Sequence, residues 1–367
     1  MTLNPALPGK DSRLVVKDPE QWNAGPPPSL LREHQVTPAS LFFIRSHAPT
    51  PEIDPLTWRL PVRGLVRRPL ELSLSDLRQQ FLRHDLAATL VCAGLRRDEL
   101  VAHRPVPGEL LWGADAISNG WWSGVALRDV LMAAGVTDEA RHVAFTGLDQ
   151  VSRHDRLFGF GGSIPLQKAM APEALLAFDL NGEPLPPAHG FPLRSVVPGY
   201  IGARSVKWLG EIVVQAEPST NYFQTEAYRI LRQPDPDNPR SVTAGEALDT
   251  VSLNAVIVSP AARCRVAAGL VELTGWAFGG AAERVARVEV SPDNGATWVK
   301  AVLEESGGAW SWTFWRAAVH LRPGQQTLVA RAWDQAGHCQ PAELAEVWNV
   351  KGYANTAWHR VAVQVSA

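Results

Sequence analysis

Hydrophobic spacing divides the chain into a mixed first part and an alternating second part. Residues 73–81 open with Ser-Leu-Ser-Asp-Leu, an N-cap signal that predicts a short helix. Residues 125–134 carry apolar side chains at helical spacing, which predicts a second helix, whereas residues 142–145 and 204–214 are typical of strands. Glycine and proline lie between these elements. The pattern over residues 41–231 therefore predicts a loop-rich α+β domain of the kind that holds a functional site.

Proline-rich polar segments flank this first domain. The segment over residues 1–40 contains Pro26-Pro27-Pro28 and predicts an extended arm without a helix. The segment Arg-Gln-Pro-Asp-Pro-Asp-Asn-Pro-Arg begins at residue 232 and predicts a linker over residues 232–241. The remaining residues, 242–367, are expected to form a second domain.

The second domain has the alternation of a β-protein. Asn294-Gly295 between two strand-like runs predicts a hairpin. No long helical pattern is present, and short strands at regular spacing predict an all-β immunoglobulin-like sandwich. The positions that carry this prediction, by alternation or by tryptophan in a strand-like context, are Val251, Leu253, Ala255, Ile257, Val288, Val290, Trp298, Trp310, Trp312, Trp315, Thr327, Val329, Arg331 and Trp333.

Composition narrows the class of protein. A hydrophobic content of 46% with 20% charged residues is typical of a globular chain, and a net charge of −2 argues against a nucleic-acid partner. No apolar run has the length of a membrane span, and residues 1–16 lack an export signal. The chain has only three cysteines, Cys92, Cys264 and Cys339, and a small, odd number does not predict a disulfide framework. We expect a cytoplasmic protein, or a periplasmic one if a signal peptide has been removed.

Three clusters have side chains that can carry chemistry. Cys92 follows an apolar strand-like run and precedes a glycine turn and two arginines, which favour the metal-binding thiolate, although a lone cysteine is more often a core residue. Arg45 and His47 are two apart and share a face if they lie on a strand, but such a pair is more often a surface contact. The third cluster is typical either of a phosphate-binding nest or of a solvated loop, and it contains His189, Arg194, Ser205 and Lys207.

Longer motifs decide between these readings. The chain contains, in this order, the strings FFIRSH, VCAGLRR, LLWGADAIS, HVAFTGLD, GGSIPLQKAM, LLAFDLNGEPLPPAHGFPLR, VVPGYIGARSVKWLGEIVV and WNVKGYANTAWHR. Through these strings the chain resembles the sulfite oxidase family over about residues 41–362. The stretch from residue 175 to residue 214 is the most specific part.

The resemblance implies a molybdopterin-binding domain followed by an immunoglobulin-like dimerisation domain. It also implies molybdenum-dependent oxidation of sulfite to sulfate by oxygen-atom transfer, with electrons passed to an external acceptor such as cytochrome c. A homodimer, a pterin without an added nucleotide and no membrane partner are expected. No haem domain precedes the motifs, so the chain is similar to the haem-free members from plants and bacteria.

The resemblance also assigns residues. Cys92 is the expected thiolate ligand of molybdenum. The substrate pocket is expected to contain Arg45, Arg97, Trp112, Tyr228 and Lys351. The pterin and its phosphate are expected to be held by Arg45, Ser46, His47, Cys92, Asp149, His189, Arg194, Ser205, Val206 and Lys207.

Three positions depart from the family pattern. Leu95 replaces an asparagine after the cysteine, and Ser46 replaces an asparagine before the motif histidine. Lys351 replaces a pocket arginine, which keeps the positive charge but loses the bidentate fork. These departures are expected to change the affinity for the substrate more than the sign of the charge that the pocket selects.

Other functions stay open at this point. Eukaryotic nitrate reductase shares both domains and the cysteine ligand, but by resemblance its pocket lacks the tyrosine and the cation found here as Tyr228 and Lys351. Another oxygen-atom-transfer substrate, such as a small sulfoxide, is a further alternative. A scaffold built on the immunoglobulin-like domain is the non-enzymatic alternative, because fold alone does not fix function.

Overall fold

The computed structural model describes residues 7–234, 237–239, 241–280 and 284–367. Residues 1–6 of the expected arm and residues 235, 236 and 240 of the expected linker lie outside the described part. Within it, no helix combines the length and the apolar character needed to cross a membrane.

The N-terminal arm is more structured than predicted. Strands β1 (Val15–Asp18) and β2 (Asn23–Gly25) pair antiparallel, and a one-turn helix α1 (Pro28–Leu31) follows. The expectation of an arm without a helix is therefore wrong for this segment. Proline is tolerated in the first turn of a helix, where its missing N–H would have no partner, so the proline run begins this helix.

The first domain contains two sheets and several short helices. Its strands in chain order are β3 (Leu60–Gly64), β4 (Leu70–Leu72), β5 (Arg83–Val91), β6 (Ile117–Ala126), β7 (His142–Gly147), β8 (Val151–Arg153), β9 (Arg156–Phe158), β10 (Gly161–Pro165), β11 (Leu175–Leu180), β12 (Glu183–Pro184), β13 (Arg194–Val196), β14 (Leu209–Gln215), β15 (Arg229–Ile230) and β16 (Glu246–Ala247). Its helices are α2 (Leu74–Gln80), α3 (Arg97–His103), α4 (Leu127–Ala134), α5 (Leu166–Ala169) and α6 (Tyr222–Thr225).

The two sheets have different neighbours. One has the order β10-β7-β14-β3-β4, with β14 and β3 parallel, and packs on α2, α4 and α5 around a core that includes Leu77, Val130 and Ile212. The other has the order β12-β11-β6-β5, with β13 attached to β11. The short pair β15–β16 brackets the expected linker, so its two ends are held together.

The predicted elements of the first domain are largely present. Helix α2 begins after Ser73, whose side chain accepts from the Asp76 N–H while the Asp76 carboxylate accepts from the Ser73 N–H, a capping box. The strand expected at 142–145 is β7. The helix expected over 125–134 begins only at Leu127, since Val125 lies in β6, which ends at Ala126. The strand expected from residue 204 begins at Leu209.

The second domain consists of two sheets packed face to face. Its strands are β17 (Asn254–Ser259), β18 (Arg265–Ala267), β19 (Gly269–Phe278), β20 (Val285–Ser291), β21 (Val299–Lys300), β22 (Val302–Leu303), β23 (Thr313–Leu321), β24 (Gly324–Asp334) and β25 (His359–Ser366), with one short helix α7 (Leu344–Val347). The sheets have the orders β17-β19-β23-β22 and β18-β25-β24-β20-β21.

Alternating positions fill the space between these sheets. Val288 and Val290 of β20 meet Ala255 and Ile257 of β17 in one core, as the alternation predicts. The predicted hairpin joins β20 to β21, and Asn294 and Gly295 adopt φ of 57° and 96° in its connection. Of the five tryptophans predicted in strand-like contexts, two lie in strands, Trp315 and Trp333. The other three lie in connections that precede strands, namely Trp298, Trp310 and Trp312.

A second core joins the domains. Leu90 of β5 and Trp122 of β6 pack in one cluster with Val256, Trp276 and Trp312 of the second domain. The sheet that ends near Cys92 is therefore supported from both sides, which fixes the position of that strand end.

Candidate active site

A cavity opens at the end of β5. Aromatic and aliphatic side chains, including Phe42, Phe43 and Phe160, form part of its wall. The wall also contains the predicted site residues Arg45, Ser46, His47, Cys92, Asp149, His189, Arg194, Ser205, Lys207 and Tyr228. These residues are far apart in sequence, so the fold and not local spacing brings them together.

Cys92 lies at the bend between strand β5 and helix α3. Its N–H donates to the Ala116 carbonyl at 2.9 Å, and its sulfur accepts from the Gly94 N–H at 3.4 Å. The chain then turns through Arg96, whose φ is 59°, into α3. The side chain lies on the cavity wall, so the sulfur is placed to bind a metal there.

Arg45 and His47 meet in an irregular segment. The expectation that they share a strand face is wrong, because the residues around them form only a single bridge, between Ile44 and Ala24. Arg45 Nη2 nevertheless lies 3.3 Å from His47 Nδ1. An arginine only donates, so Nδ1 is the accepting nitrogen and the imidazole proton is on Nε2.

That imidazole proton is directed at Tyr228. His47 Nε2 lies 2.7 Å from the Tyr228 hydroxyl, which therefore accepts it and keeps its own proton free. Burial, with Arg45 adding to it, holds the pKa of His47 well below its usual value, so the ring is neutral. Burial raises the pKa of Tyr228 to about 12, so its hydroxyl stays protonated. Tyr228 is thus arranged as a neutral hydrogen-bond donor at the cavity wall.

Lys207 and Arg194 form a cationic part of the cavity wall, called the cationic wall below. Lys207 Nζ donates to Ser46 Oγ at 2.6 Å and to the Ala188 carbonyl at 3.0 Å. Arg194 donates to the carbonyls of His189 and Ser205 at 3.0 and 2.9 Å. Burial lowers the pKa of Arg194 to about 9, and burial together with Arg194 holds the pKa of Lys207 well below its usual value.

Sequence reasoning missed a further lysine behind this wall. Lys10 of the arm donates to the carbonyls of Ala39 and Phe42 at 2.6 and 2.8 Å and lies 2.5 Å from His189 Nε2. Burial lowers its pKa to about 7. Because it lies in the arm, nothing in its local sequence connects it with the site.

In the described part of the chain these cations are not paired directly with a carboxylate, although Asp149 acts on Lys207 from beyond salt-bridge distance. Within the described residues, none of Lys10, Arg45, Arg194 and Lys207 forms a salt bridge with a carboxylate. Asp149 is buried, its pKa is raised by burial, and its Oδ1 accepts from the Phe160 N–H at 2.9 Å. Burying unpaired charges costs several kcal/mol each, roughly, unless an anion enters. The wall is therefore built to receive an anionic group.

Arg97 and Lys351 lie beside the cavity and not on its wall. Arg97 donates from Nε to the Lys351 carbonyl at 2.9 Å, and its guanidinium lies 5.2 Å from the Tyr353 ring centroid. That ring stacks on Tyr228 at 5.4 Å. Glu109, which the sequence did not suggest, has one carboxylate oxygen 3.2 Å from Lys351 Nζ and the other 3.6 Å from Arg97 Nη1.

The structure does not bring Trp112 or Val206 to the cavity wall. Trp112 is fully buried and packs edge-on to Phe43, with ring centroids 6.4 Å apart. Val206 is fully buried, and its N–H donates to Ser195 Oγ at 2.7 Å. Both residues support the site from behind.

The two departures near the cofactor have different consequences. Ser46 accepts from Lys207 and so supplies a polar contact at its position. Leu95 is buried among the apolar residues of the shared core, so its side chain offers the cavity no polar group.

The residues fit the expected molybdenum–pterin cofactor. Within the described part of the chain, no group of three His, Cys, Asp or Glu side chains is placed to hold a metal ion. One thiolate is too few to hold a metal, so the other ligands of a metal at Cys92 have to come from the cofactor itself. The unpaired cations match the phosphate of such a cofactor.

Comparisons with known proteins agree with this geometry. Residues 47–223 match the oxidoreductase molybdopterin binding domain, and residues 246–366 match the Mo-co oxidoreductase dimerisation domain. The mitochondrial sulfite oxidase of Mus musculus is 39% identical over 98% of this chain and 67% of its own length. The sulfite oxidase of Arabidopsis thaliana is 35% identical over 98% of this chain and 95% of its length.

A solved structure is also similar. The sulfane dehydrogenase SoxCD from Paracoccus pantotrophus superposes with a TM-score of 0.80 and 27% identity, over 95% of this chain and 88% of that one. Two matched domains in the same order, full-length relatives and a buried cysteine facing a cationic cavity lead to one conclusion: the chain belongs to the sulfite oxidase family of molybdenum oxidoreductases.

Proposed function

We propose that the protein oxidises sulfite to sulfate with a molybdenum cofactor held at Cys92. The observation that carries the proposal is the convergence of this thiol, the protonated hydroxyl of Tyr228 and buried unpaired cations on one cavity. When bound, the cofactor supplies oxygen-atom transfer and takes up the two electrons that sulfite releases.

The cationic wall is proposed to hold the pterin phosphate. Lys207, Arg194 and Ser205 would contribute donors to its oxygens, and His189 would be held in place by Lys10. Asp149, a hydrogen-bond acceptor on the cavity wall, is suited to receive the N–H groups of the pterin ring. His47 and Ser46 would close the site near Cys92.

The substrate side is proposed to lie toward Tyr228. Sulfite is a small anion, and the charges of Arg45, Arg97 and Lys351 would offset its desolvation. The hydroxyl of Tyr228 would donate a hydrogen bond to an oxygen of the substrate and would keep its proton throughout. Trp112 would act indirectly, by packing behind Phe43.

The test is substitution of the proposed metal ligand. We expect Cys92→Ser to abolish sulfite-dependent reduction of ferricyanide and to lower the molybdenum content per chain. Cys339→Ser is the matched control, because Cys339 is a free and exposed thiol outside the cavity. Sulfite turnover retained in Cys92→Ser would refute the role of Cys92.

Nitrate is the competing substrate. Reduction of nitrate with a dye as reductant, run beside the sulfite assay on the same preparation, separates the two. Turnover of nitrate at a higher kcat/KM than sulfite would replace the proposed function by nitrate reduction.

We further propose a homodimer formed through an immunoglobulin-like second domain, and an external acceptor such as cytochrome c. The facing sheets of that domain and its match to a dimerisation model support this. A cytoplasmic location is proposed from the three free thiols. Light scattering tests the dimer, turnover with cytochrome c tests the acceptor, and a Soret absorbance band in the purified protein would contradict the haem-free proposal.

A further inference from the structure

The loop between α3 and β6 places a carboxylate on the cations of the proposed substrate side. Glu109 bridges Lys351 Nζ at 3.2 Å and Arg97 Nη1 at 3.6 Å, one carboxylate oxygen to each. The Leu110 carbonyl of the same loop accepts from Arg97 Nη1 at 2.9 Å. The Glu109 side chain is 17% exposed, so it is partly shielded from water but within reach of solvent.

The position of this carboxylate relative to the cavity matters. Arg97 lies over Tyr353, Tyr353 stacks on Tyr228, and Tyr228 lines the cavity beside Cys92. Burial raises the pKa of Tyr228 and of Tyr353, and the negative charge of Glu109 adds to the shift in both. Glu109 therefore acts electrostatically on the same site as the two cations it bridges.

We propose that Glu109 is a specificity-determining residue: its carboxylate occupies the anion position between Lys351 and Arg97, and an oxyanion has to displace it to bind there. The two oxygens of the carboxylate take the place of two oxygens of a sulfur oxyanion. This inference rests on the proposed function for the identity of the substrate, although the competition itself concerns any small oxyanion.

The carboxylate of Glu109 is expected to affect the binding of anions according to their charge. An internal counter-ion lowers the net positive charge that an incoming anion meets, and like charges placed together in an interface are unfavourable. A dianion is repelled more strongly than a monoanion, because the repulsion scales with charge. Sulfate is fully a dianion near neutral pH, whereas sulfite is partly protonated to a monoanion. Glu109 is therefore expected to weaken the binding of the sulfate product more than that of the substrate, and to help the product leave.

The experiment measures sulfate binding directly. Isothermal titration of the molybdenum-loaded enzyme with sodium sulfate is compared for the wild type, Glu109→Gln, Glu109→Ala and Glu71→Gln. We expect both Glu109 variants to bind sulfate about tenfold more tightly, with a lower inhibition constant for sulfate in the sulfite assay. Glu71→Gln removes the same charge from an exposed position on β4 and should match the wild type.

Two opposite results would overturn the proposal. Unchanged sulfate affinity in both Glu109 variants would mean that the carboxylate does not compete with anions. Weaker affinity would mean that Glu109 holds Arg97 and Lys351 in place for the ligand. A sulfite assay without turnover, together with tighter sulfate binding in the variants, would refute the proposed substrate and leave the role of Glu109 standing.

Discussion

A neutral imidazole and a protonated phenol meet at the cavity wall. The accepting nitrogen of His47 faces Arg45, so its N–H points at the Tyr228 oxygen. With its pKa raised to about 12, Tyr228 keeps its proton across the range in which enzymes are assayed. The pair is therefore a fixed donor whose protonation does not change between pH 6 and pH 9.

Removal of this hydroxyl tests its part in turnover. We expect Tyr228→Phe to lower kcat/KM for sulfite about tenfold to a hundredfold, because a hydrogen bond to a charged group contributes roughly 1.5–3 kcal/mol. Steady-state kinetics at constant molybdenum content provide the measurement. Tyr200→Phe removes a half-buried hydroxyl away from the cavity wall and should leave kcat/KM near the wild-type value. Equal losses in the two variants would contradict a specific role for Tyr228.

Lys10 is expected to act on the cofactor and not on the substrate. Its three donor positions are taken by Ala39, Phe42 and His189, so it both orients the imidazole and adds positive charge behind the phosphate-binding wall. We expect Lys10→Met to lose molybdenum about tenfold faster during dialysis, measured by metal analysis over time. Lys300→Met, at an exposed strand position, is the control. Wild-type retention in Lys10→Met would limit the arm to a structural role.

The sequence predicts a residue of the site only where that residue lies in a motif. The positions Arg45, Cys92, His189 and Lys207 were found through motif strings, and they line one cavity. Lys10 lies in a loop outside every motif string, and its partner lies 179 positions away. Glu109 likewise lies in a proline- and glycine-containing loop without a local pattern. Such partners depend on long-range folding, which no short window of sequence records.

The turn between β5 and α3 places Arg97 next to the cysteine it follows. A Cβ on Gly94 would lie 2.7 Å from Arg97 Cζ, so this glycine leaves space for the guanidinium. The guanidinium is the end of a flexible side chain and can move aside. A substitution at Gly94 therefore acts on the position of Arg97 more than on folding.

We expect Gly94→Ala to raise KM for sulfite about tenfold while molybdenum content stays at the wild-type level, because a displaced guanidinium loses one charged contact worth roughly 1.5 kcal/mol or more. Steady-state kinetics and metal analysis together measure this. In an Arg97→Met background the clash is absent, so adding Gly94→Ala should change KM little further. Loss of molybdenum in Gly94→Ala alone would show instead that the turn serves Cys92.

Capping residues predict where a helix begins better than the spacing of apolar residues does. Helix α2 has its capping box at Ser73, and its start was correct. The helix over 125–134 was started two residues early, because Val125 belongs to a buried strand whose apolar side chains continue into the spacing of α4. Buried strands lack alternation, so a strand that runs directly into a helix cannot be separated from it by periodicity.

At the scale of the whole molecule, the two domains share more than a linker. Arg96 is fully buried and donates to Asn254 Oδ1 at 2.8 Å and to the Ala357 carbonyl at 2.9 Å. Lys351, from the segment matched to the dimerisation domain, lies beside the cavity of the first domain. Two domains were predicted from the change in periodicity, but the shared core was not, since packing between domains leaves no periodic signal.

Buried titratable groups in and behind the cavity wall also make the free energy of unfolding depend on pH and on the cofactor. His47 and His189 have pKa values held well below 6.5, first by burial and then by neighbouring cations. Below pH 6.5 the unfolded chain binds protons that the folded chain does not, so the free energy of unfolding falls as the pH drops. Lys10, with its pKa lowered to about 7, has the same sign: its contribution rises with pH from about 7 to 10.5.

An anionic cofactor bound at the cationic wall would raise the pKa values of these groups and so offset both effects. We therefore expect the difference in Tm between cofactor-loaded and cofactor-free protein to be largest near pH 5 and to narrow steadily toward pH 9, as measured by calorimetry. Asp98 and His359, with pKa values shifted to about 6 and about 4, lie outside the cavity wall, so their contributions cancel in the difference. A difference that stays constant with pH, or widens as the pH rises, would mean that the cofactor does not neutralise the cationic wall.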